Sequence, residues 1–239
     1  MRAAADAART AVADGTVRPL HGLVANAGLS VRDAGHVSAD GDELTFAVNY
    51  LAHAELIGHL LGSFTAPARI VLLGSNTYHQ NFWRRILHVP AADWRDPIDL
   101  ARPDPGAGRA SGGVAYSNSK LAIVYYAHEL QRRGPAGVQV IVFEPGFMPG
   151  TGLSRQFGAG ARRAGQMIER IPGISSPGRS GPALASVILD ERWARLPGGA
   201  FVVKTRERPL EPFADDPARE SRLWDATTEL LDAAERAAS

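Results

Sequence analysis

The chain of 239 residues contains no cysteine. That excludes disulfides, thiolate metal sites and cysteine nucleophiles. Lysine is nearly as scarce: of 26 basic residues, only Lys120 and Lys204 are lysine. Acidic residues number 25, so the net charge is +1, which argues against a nucleic-acid binder that works by bulk charge. No apolar run approaches the roughly 18 residues of a membrane span. The opening Met1-Arg2-Ala3-Ala4-Ala5-Asp6 has no signal-peptide core, so a cytoplasmic protein is expected. The seven histidines lack ligand spacing, since His53 and His59 are six apart and His79 and His88 nine, and no metal is expected. Internal repeats and low-complexity linkers are missing too. What remains is ordinary: 45% hydrophobic and 21% charged residues, ample for an α/β core.

Along the chain, residues 2–13 predict an Ala-rich helix that nothing breaks before Gly15. Leu20 to Ala25 (LHGLVA) predicts a buried strand ending in Asn26-Ala27-Gly28. Residues 42–64 carry helical periodicity through Leu44, Val48, Leu51, Leu56 and Leu60. Arg69 to Leu73 (RIVLL) predicts a second strand that stops at Gly74-Ser75, and Val138 to Phe143 (VQVIVF) a third, closed by Glu144-Pro145-Gly146. Residues 115–132, 153–172, 180–190 and 216–236 read as helices, and Gly199 to Val203 as a fourth strand. Between Ser75 and Tyr116 runs a long excursion with Trp83 and Trp94; such loops are commonly functional or disordered. Alternating helices and strands predict a parallel sheet covered on both faces, with ligands beyond the carboxyl ends of its strands.

Several residues on that rim carry chemistry. Tyr116 and Lys120 are four apart on a helix and share a face. An ammonium close to a phenol lowers its pKa, which makes Tyr116 a candidate proton donor and acceptor; the bland reading is a chance pair on a solvated helix. Ser75, directly after the second strand, is placed to hydrogen-bond a substrate oxygen, or simply to form a turn. Asn49 sits inside a helix, where Asn is a poor resident. Either it is exposed, or the helix opens there and orders a water near Lys120. Asn26-Ala27-Gly28 and Pro145-Gly146 read as ligand-approaching turns or as ordinary ones.

Taken in order, NAG (26–28), VNYLAHAEL with Asn49, RIVLLGS with Ser75, YSNSK (116–120) and EPG (144–146) resemble the short-chain dehydrogenase/reductase family over nearly the whole chain. The resemblance implies a Rossmann-like doubly wound α/β fold and an NAD(P)(H)-dependent oxidoreductase. Asn49, Ser75, Tyr116 and Lys120 would form its catalytic tetrad, with Tyr116 as general acid/base, Lys120 tuning it and binding the nicotinamide ribose, Ser75 orienting the carbonyl and Asn49 holding a relay water. Asn26, Ala27 and Gly28 would border the adenosine side of the cofactor, and Pro145, Gly146 and Thr151 the nicotinamide. The wide gap from Ser75 to Tyr116, TGLSRQ (151–156) and the ARESRLWDATTELL helix resemble the branch of protochlorophyllide reductases and retinol-dehydrogenase-like reductases, which favours NADP(H) over NAD(H). With PGF at 145–147 and no cysteine, photochemistry is not expected.

The glycine-rich TGxxxGxG turn of the family is missing, since Gly15 and Gly22 do not fit its spacing. Two explanations compete: an open reading frame begun at an internal Met, lacking about 75 residues of a chain of about 315, or a chain that truly starts here and leaves its first strand an unprotected edge. The expected architecture is one partial domain over 1–239, with an excursion at 79–114 and a substrate-side helical region at 150–190. The expected partner is a small, apolar carbonyl or alcohol substrate, with a homo-oligomer in prospect. Two rival readings are a cofactor-independent isomerase, lyase or cyclase on a truncated scaffold, and a non-catalytic binding protein. Trp83 and Trp94 would form a lid or pack the excursion down. Arg155, Arg162, Arg163 and Arg170 would meet an acidic substrate or line a solvated face.

Overall fold

A computed structural model describes residues 1–80, 89–108, 111–148 and 174–238. Helix α1 (Arg2–Ala13) leads into strand β1 (Leu20–Ala25). A helical stretch then runs through α2 (Leu44–Phe46), a π turn (Ala47–Leu51) and α3 (Ala52–Leu60), and ends in a 3-10 turn (Leu61–Ser63). Strand β2 (Phe64–Leu73), the short α4 (Pro97–Leu100), the long α5 (Ser111–Arg133) and β3 (Val138–Glu144) follow. Helix α6 (Pro177–Leu189), strands β4 (Ala200–Val203) and β5 (Arg206–Arg208) and helix α7 (Pro217–Ala238) complete the order.

The strands lie in the order β1-β2-β3-β4-β5, the first four parallel and β5 antiparallel to β4. Strands buried on both faces need apolar residues at every position rather than at alternate ones. RIVLL and VQVIVF meet that need. Ile70, Leu72, Val140 and Val142 face one core with α5, while Val71, Leu73, Ile141 and Phe143 face a second with Ala183 and Val187 of α6. The expected parallel sheet with helices on both faces is therefore present. Among the described residues strand β1 pairs only with β2, and its His21 and Gly22 are exposed. Among the described residues no helix is long and apolar enough to cross a membrane.

The structure departs from the sequence expectations in four places. The helix expected over 42–64 is broken by the π turn and stops at Ser63, and β2 starts at Phe64 rather than Arg69 because Phe64 packs against the main core. Strand β5 was not expected, since Arg206-Glu207-Arg208 is fully exposed and carries no apolar signal. Helix α5 begins at Ser111, four residues early, through two glycines of low helix propensity. Gly112 is there for space: a Cβ would lie 1.9 Å from the Val31 carbonyl oxygen. Ser111 Oγ also accepts from Ala34 N at 2.9 Å, so the loop after β1 rests on the first turn of α5. Gly112→Ala is expected to lower the unfolding free energy by about 2 kcal/mol. The urea midpoint measures this, and an unchanged midpoint would refute the steric argument.

The two residues between Tyr116 and Ser119 fasten the excursion to α5. Ser117 Oγ donates to Pro90 O (2.9 Å), and Asn118 Oδ1 accepts from Asp93 N (2.9 Å). Trp94 packs edge-on against Tyr125 with ring centroids 4.8 Å apart, which is the packing alternative for that residue. Trp83, Thr151 and the helix expected over 153–172, with Arg155, Arg162, Arg163 and Arg170, lie outside the described residues.

Candidate active site

Parallel pairing brings the carboxyl ends of β1, β2 and β3 to one edge, because Ala25 is in register with Leu72 and Leu73 with Phe143. Residues 26–28, 74–76 and 144–146 therefore share a rim, as expected. Helix α5 crosses behind it. Its residues 117–127 are all buried, held between the sheet and α7.

Lys120 is 5% exposed, and its Nζ donates to Leu73 O at 2.7 Å. The same Nζ stands 5.6 Å from the centroid of the Tyr116 ring. Burial alone pushes the ammonium from its usual range down to about 8. Tyr116 moves the other way, up to about 12, first through burial and further through the Glu144 carboxylate, while a polar contact with the Ser75 side chain opposes the rise. The expectation that Lys120 lowers the phenol is corrected here: the ammonium is over the ring, and desolvation dominates both groups. Ser75 Oγ also accepts from Thr77 N (3.3 Å) and Thr77 Oγ1 (3.2 Å), capping the turn Asn76–Tyr78.

Asn49 is fully buried in the π turn, so the exposed alternative is overturned and the helix is locally opened. Its side chain clamps the loop after β1. Oδ1 accepts from Leu29 N (2.7 Å), and Nδ2 donates to Leu29 O (2.9 Å) and Ser119 Oγ (3.1 Å). Ser119 Oγ donates in turn to Tyr116 O at 2.7 Å, which links Asn49 to the helix that carries the tyrosine. Gly28 lies against this clamp, with room for a Cβ only at 3.3 Å from Asn49 Oδ1. Asn26 and Ala27 are exposed at the rim. Pro145 O accepts from Ser180 Oγ at 2.7 Å, and Gly146 has φ +88°.

Two residues here, His53 and Asn76, had no role in the sequence reading. His53, one turn after Asn49, bonds Ala27 O through Nε2 at 2.8 Å. Burial lowers its pKa, the Ala27 bond opposes that, and Lys120 adds to the lowering, so the ring stays neutral. Its position four residues after Asn49 was the available signal. Asn76 Nδ2 donates to Glu144 Oε2 at 2.9 Å, joining the ends of β2 and β3. Elsewhere His128, Asp215 and Glu220 bring possible ligand atoms within 4.8 Å of one another, but the Glu220 carboxylate already takes Arg132 and His128 Nδ1 as partners.

A nicotinamide ribose fits the donors present. The buried Lys120 ammonium uses one of its three N–H groups on Leu73 O, leaving two unused among the described residues. A pyrophosphate is held in such folds by a glycine-rich strand–turn–helix, and the described residues form none.

No protein-family model matches the chain. In sequence the chain is similar to short-chain dehydrogenases/reductases. Prx1 of Penicillium rubens, a short-chain dehydrogenase/reductase, is 27% identical over 254 residues, 98% of this chain and 68% of its own length. Protochlorophyllide reductase A of rice is 28% identical over 239 residues, covering 89% and 60%. Human retinol dehydrogenase 13 is 29% identical over 217 residues, covering 87% and 60%. The chain spans about a third of the length of the WW domain-containing oxidoreductases it matches, the human one at 30% identity over 142 residues, 58% of this chain and 32% of that protein. Among solved structures, the 3-alpha-hydroxysteroid dehydrogenase of Pseudomonas sp. B-0831, complexed with NADH, has the same fold with a TM-score of 0.54 at 23% identity, covering 83% of this chain and 76% of that one.

Proposed function

We propose, with that similarity as premise, that the chain is a nicotinamide-dependent oxidoreductase acting on a carbonyl, alcohol or activated alkene carbon, with Tyr116, Lys120, Ser75 and Asn49 as its working residues. One observation carries the reading: a phenol, a hydroxyl and a buried ammonium meet at the carboxyl rim of a parallel sheet. A nicotinamide dinucleotide, when bound, supplies or accepts the hydride.

In reduction, Tyr116 gives its phenolic proton to the substrate oxygen. A pKa of about 12 keeps that proton in place across the neutral range. Ser75 hydrogen-bonds the same oxygen and stabilises the charge that develops on it. Lys120 stabilises the tyrosinate left behind and holds the ribose hydroxyls. Asn49, at its π turn, orders the water through which the proton is restored. In oxidation the same groups act in reverse, with Tyr116 taking the alcohol proton. Asn26, Ala27 and Gly28 border the adenosine side, and Pro145, Gly146 and Thr151 the nicotinamide. The branch favours NADP(H).

Calorimetric titration with NADPH and with NADH tests the proposal. Micromolar binding is expected, tighter for NADPH. An absence of heat with both dinucleotides overturns it in favour of a cofactor-independent reaction or a binding role.

A further inference from the structure

Beside the rim lies a cavity of about 260 Å³, between the first turn of α6 and the two-residue turn that joins β4 to β5. Ile174 and Ala183 form its apolar wall, and Ser175, Arg179 and Lys204 are among its polar lining. Two of its walls are tied to the end of β3. Lys204 N donates to Glu144 O (2.9 Å) and Ser180 Oγ to Pro145 O (2.7 Å), so the cavity shares its border with the Tyr116 site.

Three features give this cavity the character of an oxyanion site. First, it collects two cations at the start of a 13-residue helix, where the dipole favours negative charge. Second, Ser175 is 3% exposed, its N–H goes to Phe147 O (3.0 Å), and among the described residues its hydroxyl has no hydrogen-bond partner. That hydroxyl and the Lys204 side chain converge over Gly146, where a Cβ would lie 2.3 Å from Ser175 Oγ and 2.6 Å from Lys204 Cε. Third, Lys204 has φ +55° in a turn that Asn or Gly fills more readily. It is the only non-glycine residue with positive φ among the described ones.

We propose that this cavity binds an anionic group of the substrate, a carboxylate or a phosphate, through Lys204, Arg179 and Ser175. The inference rests on the oxidoreductase reading, and it sharpens the expected apolar substrate into a carbonyl or alcohol compound that carries an oxyanion.

Calorimetric titration of the full chain with inorganic phosphate, and separately with acetate, tests it without dinucleotide or turnover. Saturable millimolar binding is expected for at least one ion. The tighter ion distinguishes a phosphate ester from a carboxylic acid as the source. Lys204→Asn and Arg179→Gln should each weaken binding about tenfold, and Ser175→Ala about threefold. Asn adopts positive φ readily, so Lys204→Asn keeps the turn, and its unchanged thermal midpoint separates lost binding from lost fold. Silence with both ions overturns the proposal, as does an affinity unchanged from the parent in both Lys204→Asn and Arg179→Gln. Failure here leaves dinucleotide binding and hydride transfer untouched, and anion binding without any hydride transfer would count against the oxidoreductase reading alone.

Discussion

Tyr116→Phe is expected to reduce turnover by about a thousandfold while leaving dinucleotide affinity and fold stability nearly unchanged. The substitution removes one oxygen. The ring stays in place, so the Lys120 contact at 5.6 Å and the packing of α5 survive. What is lost is the phenol in polar contact with the Ser75 side chain at the rim. The direction of the pKa shift adds a second reading of the same experiment. Because burial and Glu144 hold Tyr116 protonated, the parent should reduce carbonyls with little pH dependence through the neutral range. Oxidation of alcohols, which needs tyrosinate, should accelerate as pH rises toward about 12. Steady-state rates in both directions, followed by dinucleotide absorbance, measure this. A Phe variant within tenfold of the parent removes Tyr116 from the chemistry.

How much of this was legible in the sequence depends on the range of the interaction. The strand ends, the shared face of Tyr116 and Lys120 and the parallel sheet all follow from local pattern, and each is present. The role of the intervening Ser117, Asn118 and Ser119 was not legible. Each bonds a backbone or side chain more than twenty residues away or, for Ser119, a carbonyl within its own turn and Asn49 seventy residues back. The sign of the phenol's shift was misjudged for the same reason. Spacing shows that an ammonium is near, but not how far each group is desolvated, and burial is the largest cause of both shifts. Asn49 was singled out because it is a poor helix former. The π turn that accommodates it is set by both backbone groups of Leu29, which a reading of residues 42–64 alone does not contain.

Lys120→Met carries the second large expectation, and its two effects have opposite signs. Turnover should fall about a hundredfold, because the tyrosinate loses its neighbouring cation. The fold, by contrast, should gain roughly 2 kcal/mol at pH 7. Burial lowers the Lys120 pKa from 10.5 to about 8, and holding the ammonium charged in that site therefore costs roughly 3 kcal/mol at neutral pH. The lost bond to Leu73 O gives back about 1 kcal/mol of that relief. Since the folded pKa is below the unfolded one, the unfolded chain binds more protons between about pH 8 and 10.5. Over that window the parent grows more stable relative to the Met variant as pH rises, and below it the full cost of the charge applies. Urea unfolding of both proteins at pH 7 and near pH 10 measures the difference. A Met variant that is less stable than the parent at pH 7, with a gap independent of pH, would mean that the ammonium is well solvated and that the site is not the closed, low-dielectric place on which the proton chemistry of Tyr116 depends.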